Sequence, residues 1–288
     1  MPNKKNIIQK KILVVGLGLI GASLCRSLKK TQRSNKIYGY DINKKVMDYA
    51  LKNNFIDNIK EDLESGIKDS DLIVICTPVE QITKILNTAK IFFNTDKIFT
   101  DTLSVKSVIL EYLTKNNLEK SSNFILSHPM AGTENFGIEN SCEDLFSNAT
   151  SIVCPLPSSK PESVETIKEF WKLNNCNIIE VNPYSHDKYL AAISHAPHVI
   201  SFALSRKINN LGYIKAFPWI NSKGSLSDMT RIANSDPEAW ANILKNNQNN
   251  LVDFIDEYLE ELNNLKSIIK SDDMVELIAY LKKSKPIK

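Results

Sequence analysis

The four histidines of this 288-residue chain are its side chains best suited to move a proton near neutral pH, and they fall in two short segments. His128 lies in the sequence SHPMAGTE, residues 127–134, directly after a β-rich segment. His186, His195 and His198 lie close together in a later helical pattern. Imidazole gains and loses its proton near pH ~6.5, so it can serve as a general base. The strand-end position makes His128 the candidate base.

A glycine-rich sequence near the start, GLGLIG, follows the β-rich segment Ile12–Val15 and opens a helical pattern. In this context the first glycine permits a tight turn and the second lets a pyrophosphate approach the backbone. The third allows close packing of the helix, whose N-terminal N–H groups face the phosphates. The predicted dinucleotide contacts here are Gly16, Gly18, Leu19, Ile20 and Gly21.

Asp41 follows the next β-rich segment, twenty residues beyond Gly21. A carboxylate at this place accepts hydrogen bonds from both ribose hydroxyls and repels a 2′-phosphate, so the expected cofactor is NAD rather than NADP. Lys44 and Lys45 lie close by and leave some use of NADP open.

Polar residues also follow two further β-rich segments. Thr77 and Pro78 come after Leu72–Ile75, and Ser104 comes after Ile98–Thr100. Ligands of open α/β sheets bind at the carboxyl ends of the strands, so all three are candidate contacts. Ser104 could equally cap the helix that follows, and both roles stay open at this point.

The elements that must position these residues alternate, in the first part of the chain, between short apolar segments and amphipathic helical patterns. The predicted strands are Ile12–Val15, Ile37–Tyr40, Leu72–Ile75, Ile98–Thr100, Phe124–Leu126, Ser151–Cys154 and Asn177–Val181, the last two extending the same sheet. The helices between them are Ile20–Leu28, Lys44–Leu51, Gln81–Ala89, Val105–Leu113 and Ser163–Leu173. Nearly continuous apolar strands joined by helices predict an α/β fold, a Rossmann-type doubly wound parallel sheet, over residues 1–183.

Residues 184–288 contain no β-rich segment and predict an all-helical domain. Helical patterns cover Tyr184–Ile208, Pro237–Lys270 and Asp273–Lys283, and the polar stretch 211–235 is predicted as loop with short helical turns. The longest helix carries an apolar stripe of Leu251, Phe254, Ile255, Tyr258, Leu259, Leu262 and Leu265. The stripe could close a small bundle, but we favour burial against a second subunit, hence a homodimer.

The bulk composition is that of a globular protein, with 42% hydrophobic and 24% charged residues. A net charge of +3 without a clustered basic face gives no support for nucleic-acid binding. Neither a membrane span nor a signal peptide is apparent, so we expect a cytoplasmic protein. The five cysteines form no C-x-x-C pair, and His195 and His198 lack further ligands, so no metal site is expected.

Four motifs occur in a fixed order: the glycine fingerprint, SHPMAGTE, SHD followed by SHAPH (residues 185–198), and DMTRIANSDPEAW (residues 228–240). Together they resemble the prephenate/arogenate dehydrogenase family of tyrosine biosynthesis, from Lys11 to the last helix. The resemblance implies a dinucleotide-binding domain followed by a helical domain that builds an intertwined dimer.

The same resemblance implies NAD-dependent oxidative decarboxylation of prephenate to 4-hydroxyphenylpyruvate. In it His128 takes the proton of the ring hydroxyl, Ser104 contacts that hydroxyl and Arg231 binds a carboxylate. The implied substrate site is completed by Glu134, Ser194, His198 and Trp240. Leu103 and the sequence SLS at residues 225–227 depart from the family pattern.

Three other functions stay open. An arogenate dehydrogenase would release tyrosine directly and is not distinguished by these motifs. A 3-hydroxyacid dehydrogenase would share the fold, but its catalytic lysine has no clear counterpart in the helical part. A protein of a different class would bind NAD as a sensor without turnover.

Overall fold

The computed structural model describes residues 10–31, 35–133, 135–212 and 224–285. Its strands are β1 (Lys11–Val15), β2 (Lys36–Tyr40), β3 (Asn58–Ile59), β4 (Leu72–Ile75), β5 (Ile98–Asp101), β6 (Leu126–Met130), β7 (Thr150–Cys154) and β8 (Asn177–Glu180). The first five form a parallel sheet of order β3-β2-β1-β4-β5, and the other three form a second sheet of order β6-β7-β8. The predicted α/β fold is confirmed.

Two details of the predicted sheet are wrong. The last strands do not extend the parallel sheet but form their own, in which β6 and β7 are antiparallel. The predicted strand Phe124–Leu126 begins only at Leu126, so His128 lies within β6, and Phe124 makes an isolated parallel bridge to Phe99. A continuous apolar segment indicates a strand that is buried on both faces, but it does not indicate whether the neighbouring strand is parallel or antiparallel. The sequence pattern therefore could not distinguish one extended parallel sheet from two separate sheets.

Helices cover both faces of the parallel sheet. They are α1 (Leu19–Thr31), α2 (Lys44–Lys52), α3 (Leu63–Lys68), α4 (Ile82–Ala89), α5 (Ser107–Lys115) and α6 (Pro161–Leu173). Ile12 and Val14 belong to one buried apolar cluster, and Leu13 and Val15 belong to a second. Successive side chains of a strand point to opposite faces, so β1 is buried on both sides. This burial fixes the carboxyl end of β1, where the glycine turn begins.

The remainder of the described chain is helical, as predicted. It comprises α7 (Pro183–Leu190), a π-helical turn (Ala191–His195), α8 (Ala196–Asn209), α9 (Ser225–Thr230), a 3₁₀ turn (Arg231–Asn234), α10 (Pro237–Asn246), α11 (Gln248–Lys270) and α12 (Met274–Lys283). Residues 213–223 of the predicted loop lie outside the described residues. Two of the predicted helices are interrupted, one by the π turn before Pro197 and one at Asn247. Proline has no N–H to donate to the preceding turn, which favours an irregular helix at the first of these places.

The helical region has a small core of its own. Its buried apolar cluster consists of Ala191, Ala196 and Leu251 in the part of the chain that the structure describes. Of the predicted stripe on α11, Leu251 is buried, whereas Leu259 and Leu262 are 50% and 42% exposed. Among the described helices, none is both long enough and apolar enough to cross a membrane.

Candidate active site

The glycine turn joins β1 to α1 at one end of a cleft of about 1080 Å³. Gly16 has φ +90°, and a Cβ at Gly21 would overlap the carbonyl oxygen of Gly16, so both positions require glycine. At Gly18 a Cβ would meet nothing within 4 Å, because this residue faces the open cleft. Leu19 and Ile20 also line the cleft, while Gly21 is buried beneath the turn.

Polar groups beside the turn suit a ligand that carries hydroxyl groups. The two carboxylate oxygens of Asp41 accept hydrogen bonds from the backbone N–H groups of Leu17 (2.8 Å) and Asn43 (2.9 Å). Each oxygen retains further capacity to accept, and Asp41 lines the cleft. Thr77 lies beside Pro78 in the cleft wall, and its buried Oγ1 has no hydrogen-bond partner among the described residues. A fixed carboxylate and an unpaired buried hydroxyl at this place fit the ribose of a dinucleotide.

Another part of the cleft wall is built from both regions of the chain. Ser104 and His128 come from the α/β region, and Ser194, His198, Arg231 and Trp240 come from the helical region. The structure therefore brings these predicted substrate residues to one place. Glu134 lies outside the described residues.

His128 is the first member of a buried hydrogen-bonded chain of three side chains. Its Nδ1 lies 3.0 Å from Nε2 of His186, and Nδ1 of His186 lies 2.7 Å from Oδ1 of Asp187. An ionised carboxylate only accepts, so His186 must donate to it from Nδ1 and accept at Nε2 when neutral. His128 must then donate from Nδ1, which leaves its Nε2 without a proton. The chain thus fixes the tautomer in which His128 can act as a base toward the cleft.

Asp187 also caps a helix of the α/β region. Its two carboxylate oxygens accept hydrogen bonds from the backbone N–H groups of Lys106 (2.7 Å) and Ser107 (2.8 Å) at the start of α5. Of the two roles left open for Ser104, the structure excludes capping, because α5 begins at Ser107 and the carboxylate of Asp187 accepts from its first N–H groups. The Ser104 side chain is left for contact with the cleft, which it lines.

A buried ion pair holds the Ser104 loop against β6. Nζ of Lys106 donates to the carboxylate of Asp101 and to the carbonyl oxygens of Leu103 (2.9 Å) and Ser127 (2.7 Å). Both charged side chains are fully buried. A buried charge is tolerated when its hydrogen bonds are satisfied, and here three acceptors surround one ammonium group. The loop that carries Ser104 is thereby tied to the strand that carries His128.

Burial lowers the pKa of His128 well below its ordinary value, and the nearby His186, Lys106 and His195 lower it further. Burial likewise lowers the pKa of His186, against the opposing effect of its bond to Asp187. For Asp187 burial would raise the pKa, but the hydrogen bonds from His186 and from the start of α5 lower it overall. The carboxylate is therefore charged and both imidazoles are neutral near pH 7, as the tautomer assignment requires.

The substrate end also contains an aromatic stack beside a cation. The ring of His198 stacks on Trp240 at 3.6 Å between centroids, and its Nδ1 donates to the carbonyl oxygen of Ser194 (2.9 Å). Arg231 lies close enough to lower the pKa of His198, which burial already lowers. Arg231 makes no ion pair within the described part of the chain. No described residue therefore occupies the guanidinium, which lines the cleft and can bind an anion.

The chain matches two family models over nearly its whole length. Residues 24–180 match "Prephenate dehydrogenase, nucleotide-binding domain", and residues 182–283 match "Prephenate dehydrogenase, dimerization domain". The chain belongs to the prephenate dehydrogenase family. The predicted resemblance is thus confirmed, and the matched segments meet where β8 ends and α7 begins.

Individual members of the family are similar over almost all of the chain. The prephenate dehydrogenase of Bacillus subtilis (strain 168) is 31% identical over 97% of this chain and 76% of its own length. The crystal structure of A. aeolicus prephenate dehydrogenase with hydroxyphenyl propionate and NAD+ has a TM-score of 0.86 and 29% identity, covering 97% of both chains. Synechocystis arogenate dehydrogenase has a TM-score of 0.79 and 29% identity over 95% of this chain and 97% of its own.

Sequence patterns did not predict the roles of four contributors to the site, which are Asp101, Lys106, His186 and Asp187. The SHD motif was a signal, since an acid next to a histidine is a common means of orienting a ring. Neighbouring residues of a helix point in different directions, however, and His128 is 58 positions away from His186. Only the packing of α7 against β6 and α5 reveals that these groups form one chain.

Proposed function

We propose that this protein is an NAD-dependent prephenate dehydrogenase, which converts prephenate to 4-hydroxyphenylpyruvate by oxidative decarboxylation. The observation that carries the proposal is the fixed tautomer of His128, which offers an unprotonated Nε2 in a cleft between a dinucleotide turn and Arg231. The names of the similar proteins support it, because the A. aeolicus enzyme was solved with NAD+ and a hydroxyphenyl ligand.

In the proposed reaction His128 holds and moves one proton. Its Nε2 accepts the proton of the hydroxyl on C4 of the ring, while Ser104 contacts the same hydroxyl. Bound NAD would accept the hydride that leaves C4. Loss of CO₂ from C1 then returns its bonding electron pair to the ring, and the phenolic oxygen takes its proton back from His128. Because aromatisation supplies the driving force, orientation and one positioned base suffice.

Arg231 is the proposed carboxylate ligand. A guanidinium makes two parallel hydrogen bonds to a carboxylate, which an ammonium group does not reproduce. Its position in the cleft beside the His198–Trp240 stack would place a carboxylate of the substrate against these rings. Ser194 would line the same wall, and Glu134 stays a proposed contact on the ground of the resemblance.

One observation favours arogenate as a second candidate substrate. His198 donates from Nδ1 to the carbonyl of Ser194, so its Nε2 is an acceptor when the ring is neutral. An acceptor suits the ammonium group of arogenate better than the keto group of prephenate. An arogenate dehydrogenase from Synechocystis is among the similar structures.

The proposed cofactor is NAD, because Asp41 stands where the 2′-phosphate of NADP would have to lie. Steady-state measurement of reduced cofactor with prephenate and arogenate, each with NAD and NADP, tests these proposals together. We expect the highest kcat/KM with NAD and prephenate. A higher value with NADP would contradict the role of Asp41, and a higher value with arogenate would establish the second candidate. Binding of NAD without turnover of either substrate would instead support the sensor.

We also propose that residues 1–183 and 184–288 are the two domains, and that the second pairs with another copy of the chain in a homodimer. The matching model of this segment is described as a dimerization domain, and α11 and α12 expose apolar residues such as Leu259, Leu262 and Leu281. All five cysteines are free thiols, which is in keeping with a reducing compartment, and we propose the cytoplasm.

A further inference from the structure

His195 lies in the wall of the cleft with one ring nitrogen engaged and the other unpaired. The residue is 1% exposed, and its Nδ1 lies 2.9 Å from Nδ2 of Asn247. Its Nε2 is buried and has no hydrogen-bond partner among the described residues, although the residue lines the cleft. Unpaired polar atoms are rare in buried positions because they cost free energy, so a group on a bound ligand is the natural partner.

The hydrogen bonds around Asn247 determine which nitrogen of His195 carries the proton. The amide nitrogen of Asn247 also donates to the carbonyl oxygen of Asp187 (2.8 Å), and its amide oxygen accepts from Asn250 (2.7 Å). The orientation of the amide is therefore settled, and Nδ1 of His195 must accept. Burial lowers the pKa of His195 to about 4, so the ring is neutral at working pH. A neutral ring that accepts at Nδ1 carries its proton on Nε2.

Two imidazoles of opposite hydrogen-bonding character thus line one cleft. His128 offers an acceptor, and His195 offers a donor. Both are held through Asp187, whose side chain anchors the chain from His186 to His128 and whose backbone carbonyl anchors Asn247. The two rings lie near enough for His195 to influence the pKa of His128.

A hydroxyl group donates one hydrogen bond and can accept two, so its oxygen can accept from His195 beside its contact with Ser104 while its proton is held by His128. We propose that Nε2–H of His195 donates a hydrogen bond to the oxygen of the substrate's ring hydroxyl, whose proton His128 takes. The inference rests on the proposed function. His128 and His195 line the same cleft, and the first accepts while the second donates, which is the pair of partners that a hydroxyl group uses. As the proton leaves, this oxygen gains negative charge, and a fixed donor in a buried wall stabilises it.

The test uses binding rather than turnover, with two matched substitutions. His195→Asn keeps an acceptor where Nδ1 was and so retains the bond to Asn247, but it removes the donor into the cleft. His195→Gln places an amide N–H where Nε2–H was and serves as the control. The probes are 4-hydroxyphenylpropionate and phenylpropionate, which differ by the hydroxyl alone, each titrated by calorimetry into protein saturated with NAD.

The wild-type protein should bind the hydroxylated acid more tightly. His195→Asn should reduce this preference roughly three- to tenfold, the usual effect of one hydrogen bond, while His195→Gln retains most of it. The affinities for phenylpropionate and for NAD should not change in either variant. If His195→Asn does not fold, His195→Phe provides the same removal of the donor with an apolar ring.

Two results would overturn the inference. An unchanged preference in a folded His195→Asn protein would exclude the hydroxyl as the partner. A weakened affinity for NAD with an unchanged preference would assign the N–H to the carboxamide of the nicotinamide. If the wild-type protein neither binds 4-hydroxyphenylpropionate nor turns over prephenate, the proposed function itself fails and this inference with it.

Discussion

The α/β region and the helical region of this protein differ in how completely they bury their apolar side chains. Two large buried clusters cover both faces of the parallel sheet, whereas the described part of the helical region has a cluster of three buried residues, Ala191, Ala196 and Leu251. Its longest helices expose apolar residues such as Leu262 and Ile278. The first region buries its apolar side chains within itself, whereas the second leaves large apolar side chains exposed.

The active site does not follow this division. The glycine turn and His128 belong to the α/β region, while His186 and Asp187, which orient the ring of His128, belong to the helical region. Asp187 in turn caps α5 of the α/β region. The strand therefore positions His128, the proposed base, and contact with the helical region fixes the tautomer of its ring. The following predictions test this difference between the two regions, beginning with the largest effect.

The α/β region should supply the base. His128→Asn retains an amide that can donate to His186 but has no acceptor where Nε2 was. We expect kcat with prephenate to fall roughly 10²- to 10⁴-fold, the usual contribution of a positioned base. By calorimetry the affinity for NAD should change little, and the affinity for 4-hydroxyphenylpropionate should fall only roughly three- to tenfold, because one hydrogen bond to its hydroxyl is lost. Near-normal kcat in a stable variant would exclude His128 as the base.

The pH dependence of the wild-type rate provides a second test of His128 as the base. An unperturbed histidine would make kcat/KM rise with pH near ~6.5. Because burial lowers the pKa of His128 well below that value, the neutral form should already predominate there. We expect the rise to lie at more acid pH, so that protonation of His128 contributes no change between pH ~6.5 and ~8. A rise centred in that interval would contradict the buried position of the ring.

The helical region should supply affinity for the substrate. Arg231→Ala should raise KM for prephenate about ten- to two-hundredfold, because a hydrogen bond to a charged group is lost, and should leave the affinity for NAD unchanged. Arg206→Ala is a matched control, since Arg206 is exposed in the last turn of α8 and does not line the cleft. An unchanged KM in a folded Arg231→Ala protein would remove the proposed carboxylate contact.

A charged substitution on the exposed apolar surface of the helical region should disrupt the proposed homodimer. Leu262→Glu should shift the protein from dimer to monomer in light scattering at micromolar concentration, because the carboxylate would be buried in the interface. The control is Ile91→Glu in the α/β region, where an isoleucine that is 64% exposed should tolerate the change. A wild-type monomer, or equal effects of the two substitutions, would contradict the difference between the regions.

The smallest expected effect concerns stability in acid. All four histidines have lowered pKa values in the folded protein, so below pH ~6.5 the unfolded chain binds more protons than the folded one. The contribution of these histidines to the free energy of unfolding is therefore fully present above this pH and is lost as the pH is lowered. For His195, with a pKa of about 4, the loss at pH ~5.5 is about 1.4 kcal/mol.

Urea unfolding at the two pH values measures this loss, and three of the four histidines lie in the helical region. In His195→Asn the free energy of unfolding should fall less between neutral pH and pH ~5.5 than in the wild-type protein, by about the amount that His195 contributes. An equal decline in the variant would mean that His195 does not remain neutral in the folded protein.

Patterns of residues close together in the chain were sufficient to predict much of the fold and part of the site. The glycine turn, the carboxylate of Asp41 after β2 and the alternation of strands with helices were predictable, because each depends on residues close together in the chain. The helical nature of the second region followed from apolar spacing for the same reason. The family was evident from the order of four motifs, none of which is decisive alone.

The split of the sheet and the break at Asn247 were not predictable from these patterns. Burial on both faces gives the same apolar segment in a parallel and an antiparallel strand. An asparagine inside a helical pattern gives no indication of which distant residues its side chain will contact. In the structure the side chain of Asn247 joins Asp187 to His195, and this tertiary contact accompanies the interruption between α10 and α11.

The sequence by itself determined the chemistry available to the protein: a dinucleotide turn, four histidines and an arginine in a recognisable order. Only the tertiary structure decided which nitrogen of each histidine carries the proton. That choice depends on the partner of the other nitrogen, which for His128 and His195 lies 58 and 52 positions away along the chain. Such contacts form when helices pack against the sheet, so the same residues become an acceptor at His128 and a donor at His195 only in the folded protein.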